Sequence, residues 1–93
     1  MIAAKITFEI FLNGVNNLKE KRKIINSLKD TLRNNFNISI SEVDYEDLWQ
    51  RSKFLIGIVG KDLTSLDKKI QKIFNFLKEK NEFELIDFKK EYF

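Results

Sequence analysis

The segment from Ser41 to Arg51 gathers the side chains best suited to chemistry, because its eleven residues include four carboxylates, an arginine and the only tryptophan. Glu42, Asp44 and Glu46 alternate along it, and Asp47 follows. Mg²⁺ and Ca²⁺ prefer carboxylate oxygens, but the spacing has neither the glycine turn nor the ligand number of a calcium loop. Acidic clusters are usually solvated or paired with basic side chains. We therefore expect no metal, and an ion held by Glu42, Asp44 and Glu46 is the alternative.

The residue types that are absent narrow the function further. The chain has no histidine, so the commonest general base and zinc ligand is missing. It has no cysteine, which excludes disulfides and thiolate-bound metals. No nucleophile or second catalytic group accompanies the carboxylates in the pattern that acid–base catalysis requires. We expect a non-enzymatic protein without catalytic residues or cofactors, and a Mg²⁺-dependent enzyme is the least favoured class.

Trp49 has two interpretations. A single tryptophan in a connection between strands is typical of a lid that closes one end of a small core. It is also suited to stack on a nucleic acid base or a partner side chain, and Arg51 would strengthen that contact. The candidate partner-binding or structural motif of this segment consists of Glu42, Asp44, Asp47, Trp49, Gln50 and Arg51.

A second set of side chains that could bind a ligand consists of lysines and arginines on the first predicted helix, residues 18–35. At about 100° per residue, five cations fall on one flank of this helix beside its apolar stripe. Clustered lysines and arginines can neutralise phosphates, although a charged helix face is more often simply solvated. The candidate nucleic-acid-binding residues are Lys19, Arg22, Lys23, Lys29 and Arg33.

Hydrophobic periodicity defines the elements that position these groups. Alternating apolar residues predict strands over 2–12, 36–45, 53–60 and 83–92, and helical spacing predicts helices over 18–35 and 63–80. Asn16 or Asn17 is the expected N-cap of the first helix. Thr64 with Asp67 resembles a capping box at the start of the second helix.

Several local features refine this assignment. The apolar stripes of the two helices are predicted to begin at Leu18 and Leu63. A slip in the alternation of the second strand predicts a bulge near Ser41 and Glu42. Gly57, inside the third strand, predicts a bulge or a close backbone approach. Both faces of that strand are apolar, so we expect it in the middle of the sheet.

The order β-α-β-β-α-β predicts one ferredoxin-like α+β domain over residues 1–93, with a four-stranded antiparallel sheet and both helices on one face. Leu55 and Val59, with Phe11, would leave an apolar strip on the other face. Such strips often mark association, so we expect a homodimer through this face or a sheet edge. Leu55 and Gly57 occupy positions where an RNA-recognition motif needs aromatics, so RNA contacts should use the helix and the loops.

Membrane insertion and export are not indicated. No apolar run approaches the roughly 20 residues that a membrane-spanning helix needs. The chain starts MIAAKITFEIFL, with acidic Glu9 among the apolar residues and no basic region before them, unlike a signal peptide. We therefore expect a cytoplasmic protein.

The run LKEKRKIINSLKDTLRNNFNISISEVDYEDLWQRS, residues 18–52, resembles the YlxP-like family of small bacterial proteins of unknown function. That family has an LKEKR start to its first helix and an E-V-D-x-x-D-L-W-Q-R segment. The chain departs from the family pattern at Asn17, where serine is usual, at Tyr45, where histidine is common, and in its phenylalanine-rich C-terminus. The second segment stands here as Glu42, Val43, Asp44, Asp47, Leu48, Trp49, Gln50 and Arg51.

The resemblance implies a ferredoxin-like fold and carries no established activity, catalytic residue or cofactor. Family members are frequently encoded beside the genes of translation initiation factor two and ribosome-binding factor A, which implies an accessory role in ribosome maturation (ribosome biogenesis) or translation. We therefore expect binding to ribosomal RNA or to a ribosome-associated protein. The alternative is a protein-interaction or regulatory module that acts through the acidic segment or the open sheet face, without nucleic acid.

Overall fold

The computed structural model describes residues 2–93. Its strands are β1 (Ile2–Phe11), β2 (Ile38–Asp44), β3 (Arg51–Gly60) and β4 (Glu84–Tyr92), and its helices are α1 (Leu18–Asn35) and α2 (Leu63–Lys78). The strands form one antiparallel sheet in the order β2-β3-β1-β4. This is the predicted ferredoxin-like fold, with β3 inside the sheet as expected.

The hydrophobic core lies between the sheet and the helical layer. Successive strand residues face opposite sides, so the even-numbered residues of β1 and β3 point inward together. Phe8 pairs with Phe54 across these strands, and their rings stack with centroids 4.9 Å apart. The helices fill the other side of the core with Ile25, Leu28, Leu32, Leu66, Ile70, Ile73 and Leu77.

The observed N-cap matches the predicted one in α1 but not in α2. The Asn17 side chain accepts a hydrogen bond from the Glu20 N–H at 2.7 Å, which confirms the predicted cap of α1. The predicted capping box of α2 is wrong. Asp62 precedes α2 in an extended conformation, and its carboxylate accepts from the Ser65 N–H at 2.8 Å.

The apolar stripes begin later than predicted. Leu18 and Leu63, the first residues of the two helices, are both exposed. In α1 the position that faces the interior in the first turn is Lys21, which is 0% exposed. A lysine therefore replaces an apolar residue at the inner edge of this helix, and its partners define the candidate site below.

Of two predicted strand irregularities, one is confirmed and one is not. The register between β2 and β3 shifts between Glu42 and Asp44, which confirms the irregularity predicted near Ser41 and Glu42. Gly57 has no atom within 4 Å of the position that a Cβ would take, so no close approach explains it. The close approach is at Gly60, where a Cβ would lie 2.8 Å from the Leu66 Cβ. Gly60 thus lets the start of α2 pack on the end of β3.

The face of the sheet opposite the helices carries the odd-numbered residues of β1 and β3. Phe11, Leu55 and Val59 lie on it, opposite Arg51, Thr7 and Ala3 in the neighbouring strand. Phe11 and Leu55 are partly buried, whereas Val59 is exposed. The homodimer remains a prediction. Neither helix within residues 2–93 is long and apolar enough to span a membrane.

Candidate functional site

The loop that joins β2 to β3, residues 45–50 (the β2–β3 loop), begins with a turn in an uncommon backbone conformation. Tyr45 has a φ of 60°, in the left-handed region that few non-glycine residues adopt. The Asp44 carboxylate accepts from the Tyr45 N–H at 2.8 Å, and the Tyr45 carbonyl accepts from the Leu48 N–H at 3.1 Å. These local hydrogen bonds fix the chain reversal after β2.

The end of the β2–β3 loop is tied to the segment between β1 and α1. The Gln50 carbonyl accepts from the Leu12 N–H at 2.8 Å. The Gln50 side-chain amide donates to the Val15 carbonyl at 3.3 Å. Two loops that are distant in sequence therefore form one unit at this end of the molecule.

Lys21 of α1 binds the middle of the β2–β3 loop from the core side. Its ammonium group donates to the carbonyls of Tyr45 at 2.6 Å, Glu46 at 3.2 Å and Leu48 at 2.5 Å. An ammonium group has three N–H bonds, so these three acceptors use its full donor capacity. Lys21 thus gathers three loop carbonyls around one cation, as a bound metal ion would.

Glu42 supplies the counter-charge. Its side chain is only 5% exposed, and its Oε2 lies 3.5 Å from the Lys21 Nζ. Arg22 forms a two-pronged contact with the same carboxylate, at 2.8 Å to Oε1 and 3.3 Å to Oε2. The Ser52 hydroxyl also donates to Oε2. We refer to Lys21, Arg22, Glu42 and Ser52 as the lysine lock.

Ionisation of the lysine lock follows from its burial and its hydrogen bonds. Burial lowers the pKa of Lys21, and the adjacent Glu42 carboxylate offsets this only in part. Burial by itself raises the pKa of Glu42, but the hydrogen bonds from Arg22 and Ser52 outweigh it and leave that pKa below its ordinary value. Glu42 is therefore a stable anion at neutral pH.

Arg51 forms a second ion pair on the open face of the sheet. Its guanidinium donates to the Glu9 carboxylate at 2.8 Å from Nη2 and 3.3 Å from Nε. It also lies over the Tyr45 ring, 4.3 Å from the centroid. Hydrogen bonding to Glu9 raises the pKa of Arg51. Arg51 thus supports the loop from the side opposite to Lys21.

Despite this framework, the β2–β3 loop exposes large apolar side chains. Trp49 is 52% exposed and Leu48 is 49% exposed. With Phe11 and Arg51 they line an open cavity of about 400 Å³. Trp49 is therefore only half covered, and the choice between a core lid and a recognition residue stays a prediction.

The acidic residues do not converge on a common point. Glu42 points toward α1, Asp44 caps the Tyr45 turn, and Glu46 and Asp47 are exposed. Within residues 2–93 no group of three or more acidic side chains is arranged to hold a metal ion. Lys21 and Arg22 hold the Glu42 carboxylate toward α1, away from Asp44 and Glu46.

The predicted basic stripe divides into free and engaged side chains. Lys19 and Lys23 are exposed, and Lys29 is partly buried. Arg22 belongs to the lysine lock. Arg33 lies 3.9 Å from Asp30 and donates to the Ile40 carbonyl at 3.3 Å. Four more exposed lysines, which were not predicted from the sequence, lie on α2: Lys68, Lys69, Lys72 and Lys78.

Two comparisons with known proteins bear on this site. The model of a family described as "Protein of unknown function (DUF503)" matches residues 4–90. The chain belongs to this family. It is also 35% identical over 69 residues to the "Uncharacterized protein YlxP" of Bacillus subtilis (strain 168), which covers 74% of this chain and 75% of that protein. These matches confirm the resemblance found in the sequence.

The segments that carry the family resemblance are those that build the lysine lock and the β2–β3 loop. The LKEKR run contributes Lys21 and Arg22, and the second segment contributes Glu42 and Arg51. Tyr45, at which the chain departs from the expected family pattern, adopts the left-handed region at the turn that opens the β2–β3 loop.

Lys21 was not predicted from the sequence as part of the site, although its position gave a clue. Lys21, Ile25, Leu28 and Leu32 are spaced four, three and four residues apart, as one face of a helix requires. A lysine in the first place of such a series must either extend to solvent or find buried acceptors. No comparable spacing in the sequence indicated that Glu9, Tyr45 and Ser52 would contact the site.

Proposed function

We propose that this protein is a non-enzymatic accessory protein that binds ribosomal RNA through its helical layer. The observation that carries this proposal is the separation of charge between the two helices and the rest of the chain. Helices α1 and α2 contain ten basic and three acidic residues, a net charge of +7, whereas the remaining residues contain seven basic and eleven acidic, a net charge of −4. A surface of this kind attracts polyanions even though the whole chain is only weakly basic.

The cations of the helical layer are available for contact with phosphates. Among residues 2–93, Lys19 and Lys23 on α1 have no carboxylate oxygen within 4.0 Å, and neither do the exposed lysines of α2. Of the five predicted contacts, Lys19 and Lys23 therefore fit the proposal best. Arg22 and Arg33 contribute positive charge while they bind protein groups.

The open sheet face is less suited to nucleic acid. The side chains that β3 presents there are Arg51, Lys53, Leu55 and Val59, with Gly57 before Val59, and none of them is aromatic. Base stacking on this face therefore has no platform on β3. The proposal accordingly assigns recognition to backbone phosphates on the helical side, which favours shape and charge over sequence.

The choice of ribosomal RNA is supported by the gene neighbourhood that the family resemblance implies. The absence of a catalytic grouping from the sequence, together with the engagement of Glu42 by basic side chains, supports an accessory role. The cytoplasm is the compartment that this proposal requires.

Co-sedimentation with purified ribosomal subunits over a salt series tests the proposal. We compare wild type with the double variant Lys19→Gln and Lys23→Gln, and use Lys89→Gln with Lys90→Gln on β4 as a control of equal net charge. Loss of two phosphate contacts should lower the slope of log affinity against log salt by roughly 1.4 to 1.8. The control should keep the wild-type slope. Equal slopes for all three proteins, or no sedimentation of wild type at low salt, would contradict the proposal.

A further inference from the structure

The β2–β3 loop is built more rigidly than a connection between two strands requires. Hairpin connections of two to five residues usually hold their shape through turn geometry alone. Here a buried lysine binds three loop carbonyls and a buried carboxylate binds both Lys21 and Arg22. Burial of these charges carries a desolvation cost that the fold could avoid with apolar residues. A fixed loop shape is the result of this arrangement.

The rigid loop exposes apolar side chains that contribute little to the core. Leu48 and Trp49 are each about half exposed and line the cavity whose wall includes Phe11. The cavity volume of about 400 Å³ is sufficient for one or two apolar side chains of a partner. Tryptophan is also one of the residue types enriched among interface residues that dominate binding energy. An exposed tryptophan on a preformed loop requires little reorganisation when a partner binds.

The charge around the cavity is negative. Asp44, Glu46 and Asp47 are exposed, and no lysine or arginine nitrogen in residues 2–93 lies within 4.0 Å of their carboxylates. Arg51, the one basic residue in the cavity lining, is paired with Glu9 at 2.8 Å. The rim therefore presents unpaired carboxylates beside an apolar surface.

We infer that the β2–β3 loop docks a segment of a partner protein that inserts an apolar anchor beside Leu48 and Trp49 and carries lysine or arginine on either side of that anchor. The free carboxylates of the rim pair with the basic flanks, and they repel phosphates from the same place. This surface is distinct from the basic helical layer proposed for RNA. Rigid presentation by the lysine lock reduces the ordering cost on binding.

Short synthetic peptides without tryptophan or tyrosine test the inference, with the emission of Trp49 as the readout. The first peptide has a phenylalanine-leucine anchor between pairs of lysines. The second has the same anchor between pairs of glutamates, and the third has two serines between pairs of lysines. Only the first should change Trp49 emission saturably, and that response should weaken as salt is added.

Three variants test separately whether binding requires the negative charge of the rim and the apolar lining of the cavity. Asp47→Lys should weaken the first peptide about tenfold, because it places a cation opposite the basic flank. Glu82→Lys makes the same charge change outside the loop and should leave the affinity within about twofold of wild type. Leu48→Ser removes apolar lining without a change of charge, and it should also weaken binding about tenfold.

Three outcomes would overturn the inference. An equal response to the serine peptide would mean that charge alone is recognised. No saturable change with any peptide would mean that the loop does not dock such segments. Quenching of Trp49 by a single-stranded oligouridine, with no response to the peptides, would identify the loop as a base-stacking site.

Discussion

Replacement of Lys21 by methionine tests the physical basis of the β2–β3 loop. Methionine keeps the length and helix propensity of lysine but removes the ammonium group. Three carbonyls and the Glu42 carboxylate then lose a hydrogen-bonding or charged partner. At the lower bound of about 1 kcal/mol for each carbonyl, the loss of unfolding free energy is about 3 kcal/mol. Removal of one partner of a buried ion pair gives a similar figure, about 3 to 5 kcal/mol.

For a domain of this size, a loss of about 3 kcal/mol should lower the melting temperature by about 12 to 24 °C. Urea unfolding followed by circular dichroism measures the free energy, and acrylamide quenching of Trp49 under native conditions measures loosening of the loop. Lys23→Met is the matched control, because Lys23 is an exposed lysine on the same helix. If Lys21→Met lay within about 0.5 kcal/mol of this control, the lysine lock would not stabilise the fold as described.

Three other expectations follow from the same contacts. The folded-state pKa of Glu42 is lowered from 4.5, so its contribution to stability should be complete above pH 4.5 and should decline as pH falls through the folded pKa. The unfolding free energy of Glu42→Gln should therefore fall less steeply in acid than that of wild type. Superimposable plots of unfolding free energy against pH would contradict this. Trp49→Ala should cost less than about 1 kcal/mol in urea unfolding since Trp49 is half exposed, whereas a loss of about 3 kcal/mol would indicate a buried lid. Sedimentation equilibrium should detect a homodimer. Val59→Lys should dissociate it if the open sheet face is the interface. A monomer at every protein concentration would contradict the predicted dimer.

The fold was predictable because its main elements have simple periodicity. β1 alternates apolar and polar residues from Ala4 to Ile10, and the two apolar faces of β3 indicate an inner strand. The ends of elements were less predictable. Leu18 and Leu63 begin their helices but face solvent, because the inward positions of the first turns are taken by Lys21 and Leu66.

The candidate site was only partly predictable, because its contacts join residues far apart in sequence. The residues of the acidic segment were identified, but their roles were not. Alternation placed Glu42 with Asp44 and Glu46, whereas a bulge at Val43 separates them and turns Glu42 toward Lys21. The cation that fixes the loop lies on α1, and no local pattern in the loop indicated that Lys21 would reach it.

Binding of RNA by the helical layer is tested most directly by amide chemical-shift mapping during titration with a short RNA duplex. The account predicts that the shifted amides concentrate in α1 and α2, around Lys19, Lys23 and Lys69, and that added salt reverses the shifts. Shifts confined to the open face of β3, or the absence of shifts at low salt, would contradict it.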